Sequence, residues 1–90
     1  MATPAPEPTG SIATALAHTA RLLGPQPQLA AEQARAILEA APGHAQARLF
    51  LGIAQRRSGE VAAALATLAA LARVAPGNAD VVFEYGITLA

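Results

Sequence analysis

The sequence predicts an all-α fold of about five helices paired as antiparallel hairpins, and three observations point to it. Proline and glycine cut the chain into stretches of roughly 12–16 residues joined by short turns, the length of helices and not of strands. No stretch alternates apolar and polar residues with period two. The breakers themselves recur: Ala41-Pro42-Gly43-His44-Ala45 returns as Ala75-Pro76-Gly77-Asn78-Ala79, 34 residues later.

Taken in order, residues 1–10 carry prolines at 4, 6 and 8 and read as a disordered leader. A secretory signal needs a positive start and an apolar run of about 7–15 residues. The prolines forbid that run and the first arginine is Arg21, so a cytoplasmic chain is expected. Ser11 stands where it can cap a first helix that ends at Leu23, before Gly24-Pro25. The second helix is expected from Gln28 to Ala41, closed by Pro42-Gly43, and the third from Ala45 to Arg57, ended by Ser58-Gly59. Glu60 to Ala75 forms the fourth, closed by Pro76-Gly77, and Asn78 caps a fifth that still runs at Ala90. Turns this short place successive helices antiparallel.

Composition sets limits. With 53% hydrophobic and 13% charged residues the chain is too apolar for disorder. Trp is absent and Phe plus Tyr number three, so the core must be Leu, Ile, Val and Ala. A chain of 90 residues buries only about 60% of its unfolded surface, enough for one small domain or part of a larger one. Six basic and six acidic residues cancel, leaving no basic stripe to neutralise nucleic-acid phosphates. The absence of Cys removes disulfides, thiolate zinc sites and a cysteine nucleophile. No apolar run approaches the roughly 20 residues of a membrane span. Every basic residue is Arg, which with the abundant Ala reads as GC-rich bacterial coding.

The repetition continues inside the helices. Gly52 recurs as Gly86, Leu49 as Phe83, Leu51 as Tyr85, Ile53 as Ile87, Ala30 as Ala64, Ala34 as Leu68 and Ile37 as Leu71. Each helical pair has a face it cannot bury alone, and stacking neighbours completes the core. The units run 11–44, 45–78 and a truncated 79–90.

A 34-residue period of two helices is that of the tetratricopeptide repeat, and the residues resemble that family. Leu51-Gly52 stands at its Leu-Gly pair, Ala64 at the small crossing residue, Leu68 and Leu71 at the second-helix core positions, and Pro76 at the terminal proline. Tyr85-Gly86 repeats the pair in the third unit. The resemblance covers residues 11–90 and implies hairpins stacked as a right-handed superhelix. Arg48 and Gln55 depart from the family's aromatics, and His18 stands where a glycine is usual, with Thr14 and Ala17 also weak matches. The first unit is therefore either a degenerate capping repeat or one whose first helix packs in another register. More narrowly, the Pro-rich start and residues 22–71 are similar to the N-terminal repeat region of bacterial proteins that carry a C-terminal sulfotransferase domain. No phosphosulfate-binding loop is present, so that likeness implies a parent protein and no activity of this chain.

The chemistry-bearing residues favour plain structural readings. His18 and His44 stand 26 apart with no acidic residue beside either, unlike metal-ligand spacing, and His44 takes the place of Asn78, which favours helix-start capping. Ser11 and Ser58 fall at helix boundaries, and no nucleophile, base and acid can be assembled. Glu32, Glu39, Glu60 and Glu84 read as solvated positions, with Glu32 and Arg35 spaced to pair for about 0.2–0.5 kcal/mol. The glycines stand singly, and one in a helix interior costs about 0.8–1.0 kcal/mol. Gly52 and Gly86 therefore suggest close helix contact. The chain is not expected to be an enzyme or to hold a cofactor or metal.

The resemblance implies that first helices line a concave groove, which places Leu49, Ile53, Arg56, Phe83 and Ile87 there. Members that grip a peptide carboxylate use Lys, Asn and Arg at such positions; here they are mostly apolar, which suits an amphipathic helix beside an Arg56-Arg57 rim. The plainer alternative is that Leu49, Phe83 and Ile87 contact more of a longer chain. The expected function is a protein–protein interaction module, the N-terminal part of a larger bacterial protein. The alternative is a substrate-orienting accessory domain of a sulfotransferase whose catalytic domain lies downstream of residue 90. Partners are a protein, a peptide or the rest of its own chain, with no nucleic acid and no membrane. Self-association through the unfinished third unit, by Val82, Tyr85 and Leu89, is the further expectation.

Overall fold

The computed structural model describes residues 8–90, and among them it forms five helices and no strand. They are α1 (Pro8–Leu22), α2 (Pro27–Ala40), α3 (Ala45–Arg57), α4 (Val61–Val74) and α5 (Ala79–Leu89). Consecutive helices pack on one another in an elongated array of 55 × 28 × 18 Å.

The helix ends follow from turn chemistry. α1 starts at Pro8, three residues before the expected cap, so Ser11 lies within the helix and residues 8–10 leave the expected leader. Proline tolerates a first helical turn because its missing N–H would have no partner there and its φ is already helical. The remainder of that leader, residues 1–7, lies outside the described residues. Pro27 opens α2 for the same reason. The Ala41 N–H donates to the Ile37 carbonyl at 2.8 Å and Ala75 N–H to Leu71 at 2.9 Å, so the two Ala-Pro-Gly turns close alike. Gly59 has φ +87°, the left-handed region open to glycine. Its N–H donates to Arg56 and that of Glu60 to Gln55, a Schellman closure that satisfies two late carbonyls of α3.

Packing repeats the sequence period on the second helices. Ala30, Ala34 and Ile37 of α2 are buried, and so are Ala64, Leu68 and Leu71 of α4, each 34 residues on. Two clusters form the core. Leu22, Ala30, Ala31 and Ala54 join α1 and α2 to α3, while Leu49, Ile53, Leu68, Leu71 and Val81 join α3 and α4 to α5. α1 does not follow the period. Thr19 and Leu22 are buried, whereas Thr14, Ala17, His18 and Arg21, the counterparts of Arg48, Leu51, Gly52 and Gln55, are exposed. Its packed stripe is thus rotated about the helix axis relative to that of α3, and His18 does not take up glycine's close contact.

Candidate protein-interaction site

α3 shows what a completed first helix looks like. One side, Ala47 and Ala54, is fully buried, with Ala54 in the cluster that holds Ala30 and Ala31 of the preceding unit. The other side, Leu49, Gly52, Ile53 and Gln55, is buried by α4 and α5. Gly52 marks the closest approach: a Cβ there would lie 2.5 Å from Leu68 Cδ2 and 2.6 Å from Cγ. The Leu-Gly pair is therefore a packing device. Beside it the Thr67 hydroxyl donates to Gln55 Oε1 at 2.7 Å, which satisfies an amide that would otherwise be costly to bury.

α5 reproduces only the first of these sides. Val81 and Thr88, counterparts of Ala47 and Ala54, are buried. On the other side the counterparts of four buried residues are open. Leu49 is 4% exposed but Phe83 is 63%; Ile53 is 9% but Ile87 is 39%. Leu89, in the place of buried Gln55, is 60% exposed, and a Cβ at Gly86 would meet nothing within 4 Å. Val82 adds to the same apolar surface. Tyr85 is half-buried against the cluster of Leu49 and Leu68.

The five groove candidates are accordingly split. Leu49 and Ile53 are core residues, because their side chains pack between Leu68, Leu71 and Val81 and leave no groove surface. Arg56 is also engaged: its Nη2 donates to Glu84 Oε1 at 2.9 Å, a salt bridge between first helices of successive units. Phe83 and Ile87 remain accessible, one turn apart on α5. The sequence singled out Phe83 and Ile87 but did not separate them from their buried counterparts. The signal that does is the fate of Gly52 and Gly86, one pressed by leucine and the other open.

Recesses also lie elsewhere among the described residues. One of about 510 Å³ lies between the start of α2 and the end of α3, where Pro25, Gln28, Glu32, Arg57 and Ser58 form part of its wall. Glu32 and Arg35 are exposed, and the salt bridge among the described residues is Arg56–Glu84 instead of the pair expected on α2. The other, about 210 Å³, is an apolar notch between α1 and α2 lined by Ile12, Ala15, Ala36 and Ile37 among others. His44 caps α3 by accepting the Ala47 N–H at Nδ1, 3.3 Å away. Asn78 Oδ1 caps α5 by accepting from Asp80 and Val81 at 3.0 and 3.2 Å. No three His, Asp or Glu residues converge as metal ligands among the described residues. No helix among them is long and apolar enough to cross a membrane.

A family model described as "Tetratricopeptide repeat" matches residues 25–82, well over half of the chain. No curated protein and no solved structure matches significantly. The matched span holds α2, α3, α4 and the start of α5, the part in which the 34-residue period governs burial. Repeats of this kind serve as protein-interaction scaffolds and typically carry no catalysis. Five helices, the shared buried triads of α2 and α4 and the family match agree: the chain belongs to the tetratricopeptide repeat family.

Proposed function

We propose that this chain is a protein-interaction module whose docking surface is the open side of α5, centred on Phe83, Gly86 and Ile87. One observation carries the reading. The same repeat position is covered by a helix in the second unit and bare in the third, with large apolar side chains on it. Exposed apolar patches on small proteins mark sites of association. The occupant this surface suits is an amphipathic helix, whose apolar stripe would lie on α5 as α4 lies on α3. Charge adds little selectivity here, because Glu84 is held by Arg56.

A peptide of the α4 sequence, Glu60–Ala75, is a direct probe, because that helix already covers the equivalent side of α3. Titrated into the 90-residue chain at low concentration, it should perturb the NMR signals of α5 and the fluorescence of Tyr85, the sole Tyr. Phe83→Ser and Ile87→Ser should each weaken binding about tenfold, since a fully buried large side chain contributes roughly 1.5–3 kcal/mol. Binding that ignores both substitutions, or perturbs α1 and α2 alone, would refute the reading.

A further inference from the structure

We infer that His44 is a pH-sensitive cap on the junction between the first and second units, closed while its imidazole is neutral and opened by a proton. This device is separate from the α5 surface.

Two helix caps stand at one repeat position and differ in chemistry. α3 makes its first helical backbone bond from the Arg48 N–H to the His44 carbonyl at 3.0 Å, so the amides of Ala45, Gln46 and Ala47 lack helical partners. The Ala47 N–H donates instead to His44 Nδ1 at 3.3 Å. One unit later, Asn78 Oδ1 accepts from Asp80 and Val81 at 3.0 and 3.2 Å. An amide oxygen accepts at any pH. Neutral imidazole has one acceptor nitrogen, here Nδ1 with the proton on Nε2, whereas imidazolium has two donors and no acceptor. Protonation therefore breaks the cap of α3 and leaves that of α5 intact. It also sets a positive ring at the positive end of the helix dipole. The cap thus contributes in the neutral form. Its contribution is lost as pH falls through the interval of about pH 5–8 in which histidine side chains take up a proton.

No neighbouring charge stands in for the lost bond. The start of α3 lies beside the ends of the antiparallel helices α2 and α4 and the starts of α1 and α5. The charged residues at that end are Glu39 on α2, Arg48 on α3 itself, Arg73 on α4 and Asp80 on α5, and the first two turns of α1 carry none. The two acids and two bases balance. The ion pair among the described residues is Arg56–Glu84, so neither Glu39 nor Asp80 is paired with His44. Ala47 is fully buried, and Leu49 belongs to the core cluster with Leu68 and Leu71. The first turn of α3 is therefore packed as well as capped, so loss of the cap loosens the junction and does not unfold the stack.

Two-dimensional NMR of the full 90-residue chain, titrated from about pH 8 to pH 5, reads the cap directly. The Ala47 amide should move in step with the His44 ring signals, while the Val81 amide stays in place. Urea unfolding over the same range should show an unfolding constant about threefold to tenfold larger at the acid end, the effect of one N-cap bond. His44→Asn should abolish that rise, and Asn78→His added to it should restore the rise and transfer the titrating amide to Val81. His18→Gln, at an exposed ring on α1, should leave the rise unchanged. A rise that persists in His44→Asn overturns the switch. So does an Ala47 amide that ignores titration of the ring, a reading that holds even if His44→Asn lowers overall stability.

Discussion

Gly52 and Gly86 occupy the same repeat position, and the structure predicts opposite responses to alanine. Replacing an interior helix glycine by alanine gains about 0.8–1.0 kcal/mol through backbone entropy. At Gly86 a Cβ meets nothing within 4 Å, so the whole gain should appear. At Gly52 it falls 2.5 Å from Leu68 Cδ2 and 2.6 Å from Cγ. Ordinary carbon contacts lie at about 3.5–4.0 Å, so α3 and α4 must part by about an ångström or Leu68 must turn. Leu68 is fully buried in the cluster of Leu49, Ile53 and Leu71, so turning it displaces packed neighbours. Overpacking of this sort costs about 1–3 kcal/mol, which outweighs the propensity gain and leaves Gly52→Ala destabilised by up to about 2 kcal/mol.

The two variants should therefore differ by about 1–3 kcal/mol, or on the order of 10 °C in midpoint for a domain of this size. Thermal and urea unfolding followed at 222 nm measures the difference. A second arm locates its cause. Leu68→Ala alone should cost about 2–5 kcal/mol, and less than that when added to Gly52→Ala, because the new methyl fills part of the cavity. If Gly52→Ala stabilises as much as Gly86→Ala, or if the double substitution is additive, the close α3–α4 contact is not what the glycine serves.

Three further outcomes follow from hydrogen bonds. Asn78→Ala removes the two cap bonds of α5 and should cost about 1 kcal/mol in urea unfolding, more than His44→Ala, which removes one longer bond from α3. Thr67→Val strands the buried Gln55 amide and should cost about 1–3 kcal/mol, whereas Gln55→Leu with Thr67→Val should be close to neutral, so a double-mutant cycle with no coupling would contradict the bond. Glu84→Gln breaks the bridge to Arg56 and should cost at most about 1 kcal/mol, a penalty that shrinks in 1 M salt; a salt-independent loss would point to packing instead.

The parts of the fold that the sequence revealed are those governed by local chemistry. Pro42-Gly43, Ser58-Gly59 and Pro76-Gly77 set helix ends to within a residue or so, because turn geometry depends on few neighbours. The second helices were equally readable, since Ala30, Ala34 and Ile37 map onto Ala64, Leu68 and Leu71 as residues and as buried positions. Pro8 was misread because a proline that breaks a helix interior also starts one well. The groove was misread for another reason. Leu49 and Phe83 are alike to a periodic pattern, and only the presence of α4 on one and of no helix on the other separates core from surface. Arg56 looked like a rim charge because its partner, Glu84, is 28 residues away on another unit, beyond any helix-face spacing.

The first helices α1 and α5 differ in what they expose at the same repeat positions. α1 turns Thr14, Ala17, His18 and Arg21 outward and buries Leu22 together with Thr19, whose hydroxyl donates to the Ala15 carbonyl, against the rest of the stack. α5 does not rotate in this way. It keeps the register of α3 and holds Val81 and Thr88 inward, so Phe83, Ile87 and Leu89 are left outward around an open glycine. Both helices bury one side only, so lack of a neighbour does not by itself produce an apolar surface. The surface at α5 arises because its side chains suit coverage by another helix, as α4 covers the same repeat positions of α3.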